Sequence, residues 1–191
     1  MDLIKKMEAY AKENFVPIAR KANIEYLKNI IKEEKLYNIL ELGSAIGYSA
    51  ICMASVSEKV NVTTIERDEK MYAQAIENIE EAGLNRQINI MLDDIFNVEI
   101  EGEYDLIFID AAKAQYIKFF EKVSPHLKNK GVIISDNIEL LDLQKLTNSK
   151  KSKKLIEKMN LYKEYLNNLD DYETEFINIG DGFAVTRKKL K

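Results

Sequence analysis

The chain has 191 residues, 46% of them hydrophobic and 31% charged, which is the length and balance of one globular domain with a sizeable core. No apolar run approaches the ~20 residues of a membrane span, the charged start Met1-Asp2-Leu3-Ile4-Lys5-Lys6 reads as helix rather than signal peptide, and one cysteine, Cys52, excludes a disulfide within the chain. The net charge of −4 gives no overall pull toward nucleic acid, so such a partner needs a local basic patch; the expected compartment is cytoplasmic.

Residues 1–35 read as a helical cap. Met7, Tyr10 and Ala11 share one face, Ile24, Leu27, Ile30 and Ile31 another, and Pro17 separates the two segments. Strands are expected at Asn38–Leu42, Lys59–Ile65, Ile88–Leu92, Tyr104–Ile109 and Val132–Ser135. Helices are expected at Tyr48–Val56, Asp68–Ala82 (closed by Gly83) and Gln115–Leu127, the last followed by a turn at Asn129-Lys130-Gly131. Lys151–Asn167 continues as helix, and Tyr172–Ile179 and Gly182–Arg187 read as a hairpin through Gly180-Asp181-Gly182. Alternating strands and helices imply an α/β fold: a Rossmann-like, seven-stranded, mostly parallel sheet with helices on both faces and an antiparallel C-terminal hairpin. All of 1–191 is expected to be a single domain.

The first strand runs into Ile39-Leu40-Glu41-Leu42-Gly43-Ser44-Ala45-Ile46-Gly47-Tyr48-Ser49. A strand, a Gly-rich turn and a helix start present backbone N–H groups to a polar ligand. The spacing Gly43-x-x-x-Gly47 lacks the third glycine of a dinucleotide fingerprint, and Glu41 would repel a diphosphate. Glu66 lies about 20 residues beyond the turn, where an acid can accept hydrogen bonds from ribose hydroxyls. Together these favour S-adenosylmethionine over NAD; a turn needed only for packing is the plainer reading.

Asp110 ends the fourth strand, Asp136 the fifth, and Asn137 follows. On neighbouring parallel strands ~4.8 Å apart two carboxylates repel unless a cation lies between them. Two carboxylates and an amide oxygen suit Mg²⁺; the alternative is that both aspartates cap helices. Lys113 lies just beyond Asp110, where a cation would favour its neutral amine as a base, unless it is a solvated surface lysine. Tyr116 is a candidate pocket wall. Lys145, Lys150, Lys151, Lys153, Lys154 and Lys158, with the tail Arg187-Lys188-Lys189-Leu190-Lys191, concentrate positive charge in an acidic chain. That is either an ordinary solvated face or a phosphate-binding one. His126 and Cys52 read as structural, and Leu155, Met159 and Tyr162 as core.

Leu40–Ser49, Thr64-Ile65-Glu66, Phe108-Ile109-Asp110-Ala111-Ala112-Lys113 and Ser135-Asp136-Asn137 together resemble the metal-dependent O-methyltransferases of the catechol and caffeoyl-CoA type, over about residues 10–190. The resemblance implies a class I methyltransferase fold. It implies that Gly43, Tyr48 and Ser49 hold the methionine part of the cofactor, that Glu66 holds the ribose, and that Val16 closes over the methionine end. Gly47 and Glu41 belong to the same turn. Asp93 and Asp94 would meet the adenine, although Leu92 stands where the family commonly has glycine. Asp110, Asp136 and Asn137 match the metal ligands, and Asp110 and Lys113 the catalytic pair.

Asp110–Tyr116, Asp171-Tyr172-Glu173-Thr174 and Gly180-Asp181-Gly182 are most similar to bacterial tRNA 5-hydroxyuridine methyltransferases. These form 5-methoxyuridine at the anticodon wobble position. That implies tRNA as substrate, with Tyr116, Lys150, Lys151, Lys153 and Lys154 facing it, and a homodimer. The alternative acceptor is a catechol-like or caffeoyl-type small molecule. A cofactor sensor without activity would lack one of Asp110, Lys113, Asp136 or Asn137, and all four are present.

Overall fold

A computed structural model describes residues 2–139 and 150–189. Its seven strands form one mixed sheet in the order β3-β2-β1-β4-β5-β7-β6. The chain divides into two compact units, Met1–Glu99 and Ile100–Lys191. Among the described residues no helix is long and apolar enough to cross a membrane.

The first unit starts with α1 (Leu3–Glu13) and α2 (Lys21–Glu34). Asp2 caps α1 by accepting the Ile4 N–H. Beyond the helix, Phe15 turns the chain at φ 55°, and the Val16 N–H returns to Ala11 O at 2.9 Å. Met7 and Ala11 of α1, and Ile24, Leu27, Ile30 and Ile31 of α2, are buried, the helical periodicity carried into packing. Strands β1 (Asn38–Leu42), β2 (Asn61–Glu66) and β3 (Ile88–Leu92) pair in parallel, with Leu42 opposite Ile65 and Glu66 opposite Leu92. Their carboxyl ends therefore share one edge. Helix α3 (Tyr48–Ala54) follows β1 and stops two residues short of the expected Val56. Helix α4 (Glu69–Glu81) is capped by Asp68, which accepts the Lys70 and Met71 N–H groups, and closes at Gly83, φ 67°.

The second unit holds β4 (Tyr104–Ile109), β5 (Leu127–Ser135), β6 (Tyr172–Ile177) and β7 (Phe183–Lys188). β4 and β5 are parallel, and β5–β7 and β7–β6 antiparallel, so the C-terminal hairpin is as expected. Leu106, Ile107, Phe108 and Ile109 are fully buried, each worth about 1.5–3 kcal/mol of apolar burial. Helices α5 (Tyr116–Val123) and α6 (Lys150–Asn167) complete the unit.

Two expectations are corrected here. The helix read as Gln115–Leu127 is broken into a 3₁₀ turn at Lys113–Gln115, α5, and a second 3₁₀ turn at Ser124–His126. Pro125 offers no N–H to continue an α-helix. The turn read at Asn129-Lys130-Gly131 lies inside β5. Between the pairs Tyr104–Leu127 and Leu106–Val132 the register shifts, so β5 bulges there. Lys128 Nζ on Asp105 Oδ1 at 2.8 Å holds that bulge against β4.

Candidate active site

In the first unit, the candidate residues gather at the turn after β1. The Gly43 N–H extends the ladder to Ile65 O at 3.0 Å, and the Gly47 N–H closes on Ser44 O at 2.7 Å. Three residues in the turn have positive φ: Gly43 at 92°, Ala45 at 44° and Gly47 at 80°. A side chain at Gly47 would put its Cβ 3.3 Å from Ala75 Cβ of α4, so glycine lets the turn sit on that helix. Asn78 of α4 donates its Nδ2 to Ile46 O at 2.8 Å. The Ser44 hydroxyl is buried with no hydrogen-bond partner among the described residues, which leaves a polar group for a ligand to satisfy.

Glu66 braces this turn. Its Oε2 accepts the Ala45 N–H at 2.8 Å, and its Oε1 accepts the Arg67 and Asp68 N–H groups, each at 2.9 Å. It is half-buried, and Oε2, with a single donor, keeps a lone pair for a further one. Glu41 is fully buried and accepts the Thr64 hydroxyl at 2.6 Å, so it lies within the sheet rather than on the turn's surface. Asp93 is tied to Glu66 by its N–H on Glu66 O at 3.0 Å. Asp93 Oδ1 takes the Asp94 N–H, and Asp94 Oδ1 takes the Phe96 N–H, so both aspartates shape the loop after β3. Leu92, at the glycine position of the family, is 44% exposed.

Tyr48 and Ser49 are buried at the start of α3. The Tyr48 hydroxyl donates to Glu8 Oε1 of α1 at 3.0 Å, and Lys21 Nζ lies 2.9 Å from Glu8 Oε2. Burial, then the neighbouring Cys52 and Glu8, raises the Tyr48 pKa well above its ordinary value. The Lys21 hydrogen bond lowers that of Glu8. Val16, half-buried, sits in the link from α1 to α2. Glu8 is not legible in the sequence: it is one more polar residue on a helix face, 40 positions from its partner.

In the second unit, the candidate residues lie at the ends of β4 and β5. Ile109 pairs with Ser135, and the Asp136 N–H continues to Ile109 O at 3.0 Å, which sets Asp110 beside Asp136. Asn137, φ 58°, turns its Nδ2 to Asp110 Oδ1 at 3.4 Å, and its N–H closes on Asp136 Oδ1 at 2.6 Å. The three predicted ligands thus converge. Burial raises the Asp110 pKa, and the Lys113 charge and the Asn137 hydrogen bond pull it back. The residues fit a hard divalent cation. Two carboxylates are held together at a desolvated strand end, and a half-turn of the Asn137 amide would present its oxygen in place of its nitrogen.

Lys113 opens the 3₁₀ turn that follows, half-buried. Tyr116 is fully buried and donates its hydroxyl to Asp136 O at 3.0 Å. That bond ties its ring to the strand end that carries Asp136. Its pKa is raised well above the ordinary value, by burial first and then by Asp110 and Asp136. Its ring meets Tyr162 of α6 edge-on at 5.4 Å, and Tyr162 shares a 2.6 Å hydrogen bond with the Ser135 hydroxyl. Lys158 Nζ donates to Ala114 O at 3.3 Å, so α6 is attached one residue beyond Lys113. Lys150, Lys153 and Lys154 are exposed on α6. Lys145, Leu190 and Lys191 lie outside the described residues, as does the side chain of Lys151. His126 contacts Gly102 O through its ring at 3.0 Å, the structural place expected of it.

The family model described as O-methyltransferase matches residues 3–189. Tapetum-specific methyltransferase 1 of Arabidopsis thaliana is 30% identical over 180 residues, covering 86% of this chain and 75% of that protein. A catechol O-methyltransferase of Niastella koreensis is 36% identical over 108 residues, 53% of this chain. The chain spans about half the length of that relative (49%). The crystal structure of a candidate caffeoyl-CoA O-methyltransferase from Staphylococcus aureus is 37% identical, with a TM-score of 0.90 over 97% of this chain and 92% of that one. With these likenesses and the class I methyltransferase architecture, the chain belongs to the S-adenosylmethionine-dependent O-methyltransferase family, of the caffeoyl-CoA and catechol type.

Proposed function

We propose that this chain methylates a hydroxyl oxygen that has a second oxygen beside it, in a reaction assisted by a divalent cation. The observation that carries the reading is the convergence of Asp110, Asp136 and Asn137. S-adenosylmethionine would supply the methyl group on a sulfonium, and a cation such as Mg²⁺ would supply Lewis acidity toward the acceptor hydroxyl. Gly43, Gly47, Ser44 and Ser49 would seat the methionine end, and Glu66 the ribose. Asp110, Asp136 and Asn137 would hold the cation. Lys113 Nζ takes the hydroxyl proton; the acceptor oxygen forms its bond to the methyl carbon as the carbon–sulfur bond breaks and its electron pair stays on sulfur. Positioning the two reactants is worth up to ~7–11 kcal/mol.

For the acceptor, we propose the 5-hydroxyl of 5-hydroxyuridine at the tRNA wobble position, giving 5-methoxyuridine in the cytoplasm. The support is the placement of the lysines. Lys150 and Lys153 occupy the first turn of α6 and Lys154 follows; that turn holds no acidic residue, and there the helix dipole disfavours cations by about 0.3–1 kcal/mol each. Lysines at that end add nothing to helix stability and suit a phosphate backbone, and Lys158 attaches this helix beside Lys113. A catechol-like acceptor is the second reading, favoured by the activity named for the Niastella relative. A homodimer belongs to the same proposal. The groove of about 340 Å³ along α6, with Leu161 51% exposed, offers apolar surface for it, and sedimentation velocity tests it.

The deciding experiment incubates the enzyme and S-adenosylmethionine with hydroxyuridine-containing tRNA or with catechol, and measures the products by mass spectrometry. 5-Methoxyuridine is the expected product; methylated catechol alone would overturn the tRNA reading. EDTA is expected to abolish turnover. Neutralising Lys150, Lys153 and Lys154 should lower the slope of log affinity against log salt by about one per lost phosphate contact.

A further inference from the structure

The segment bearing Asp136 and Asn137 is gripped by the turn between β6 and β7. Ser135 pairs with Ala184 of β7. Beyond that pair the Ile138 N–H donates to Gly182 O at 3.2 Å, and the Glu139 N–H to Asp181 O at 2.9 Å. On the other flank, the Asp136 N–H is fixed to Ile109 O at 3.0 Å. Asn137 is therefore bracketed by backbone bonds on both neighbours, at φ 58°. The grip depends on a bare backbone at Gly182. A Cβ there would stand 2.5 Å from Glu139 Cγ and 3.1 Å from Ile138 Cγ1, at φ +82°, where an L side chain is strained. Glu139 has little room to yield, because Lys163 Nζ of α6 lies 2.6 Å from its Oε1. Ile138 and Asp181 are both buried.

We infer that Gly182 is a positioning residue for the cation ligands: its missing side chain lets the β6–β7 turn clamp residues 138 and 139, and the clamp holds Asn137 in the left-handed conformation that turns its amide to Asp110. Glu139 and Lys163 back the clamp from α6. The inference rests on the reading of Asp110, Asp136 and Asn137 as a cation site. Neighbours that orient metal ligands typically carry 10–100-fold in affinity.

The test is a Mn²⁺ titration of the full chain followed by the electron paramagnetic resonance of the free ion, with S-adenosylhomocysteine binding and circular dichroism as checks on the fold. Gly182→Ala is expected to raise the Mn²⁺ Kd about 10-fold or more and to leave S-adenosylhomocysteine binding within about twofold. Gly182→Ala with Glu139→Ala removes the crowded Cγ and is expected to recover at least part of that loss. Wild-type Mn²⁺ affinity in folded Gly182→Ala, or no recovery in the double variant, overturns the inference. Where Gly182→Ala does not fold, Lys163→Met decides: a Kd raised about threefold supports the clamp, and an unchanged Kd overturns it. Mn²⁺ binding by the wild type that Asp136→Asn leaves untouched refutes the cation site itself, a result distinct from failure at Gly182.

Discussion

The Gly-rich turn and the acidic strand ends are built on opposite principles. The turn is made of backbone: positive φ at Gly43, Ala45 and Gly47, and N–H groups gathered on one carboxylate, Glu66. Its charge is already answered, so the turn is preorganised before any ligand arrives. The strand ends are made of side chains. Asp136 is fully buried and Asp110 half-buried, and burial pushes the Asp110 pKa up. On the function proposed above, a cation would bind at these carboxylates. The first design suits the proposed seat for a ready-made cofactor, and the second the proposed activation of a hydroxyl.

The comparison can be broken by separating the two halves. The largest effect is expected from Asp136→Ala: turnover lower by about 1000-fold, with S-adenosylhomocysteine binding nearly unchanged by calorimetry. A parallel loss of cofactor binding would show that the halves are not independent. Lys113→Met should lower kcat by about 100-fold with little effect on Mn²⁺ or cofactor affinity; a proportionate rise in KM instead would move Lys113 from proton acceptor to binding group. Gly47→Ala tests the backbone half. A side chain at φ 80° and 3.3 Å from Ala75 Cβ should cost about 1–2 kcal/mol and weaken cofactor binding while Mn²⁺ affinity stays. Tyr48→Phe is the mildest: losing the bond to Glu8 costs about 1 kcal/mol, or roughly 2–4 °C in Tm. A double-mutant cycle with Glu8→Gln should show the two changes to be non-additive.

How far the sequence reveals such a site depends on how local its pieces are. Strand β4 reads directly from Tyr104–Ile109, and the turn from Gly43 and Gly47, because run length and glycine spacing are properties of neighbours. Asp110 and Asp136 are legible for the same reason: each directly follows an apolar strand. Asn129-Lys130-Gly131 misleads because its turn propensity is outweighed by pairing between β4 and β5, a long-range gain that no window contains. The supports of the site escape for the same cause. Tyr48 and Glu8 meet across 40 positions, and Ser135 and Tyr162 across 27; Tyr162 shows only as a core residue at helical spacing. The bond from the Tyr116 hydroxyl to Asp136 O spans 20 positions and escapes for the same reason.

Cys52 remains, the one sulfur nucleophile in the sequence. It is buried on α3, and burial raises its thiol pKa to about 12, so at neutral pH almost none of it is thiolate. Alkylating reagents should pass it by in the folded protein. One cysteine introduced at an exposed position of α6, and another near the Gly-rich turn, would then each take a dye or spin label selectively. The quiet thiol thus leaves the chain open to a distance measurement between its two halves, made in solution and without first deleting a native residue.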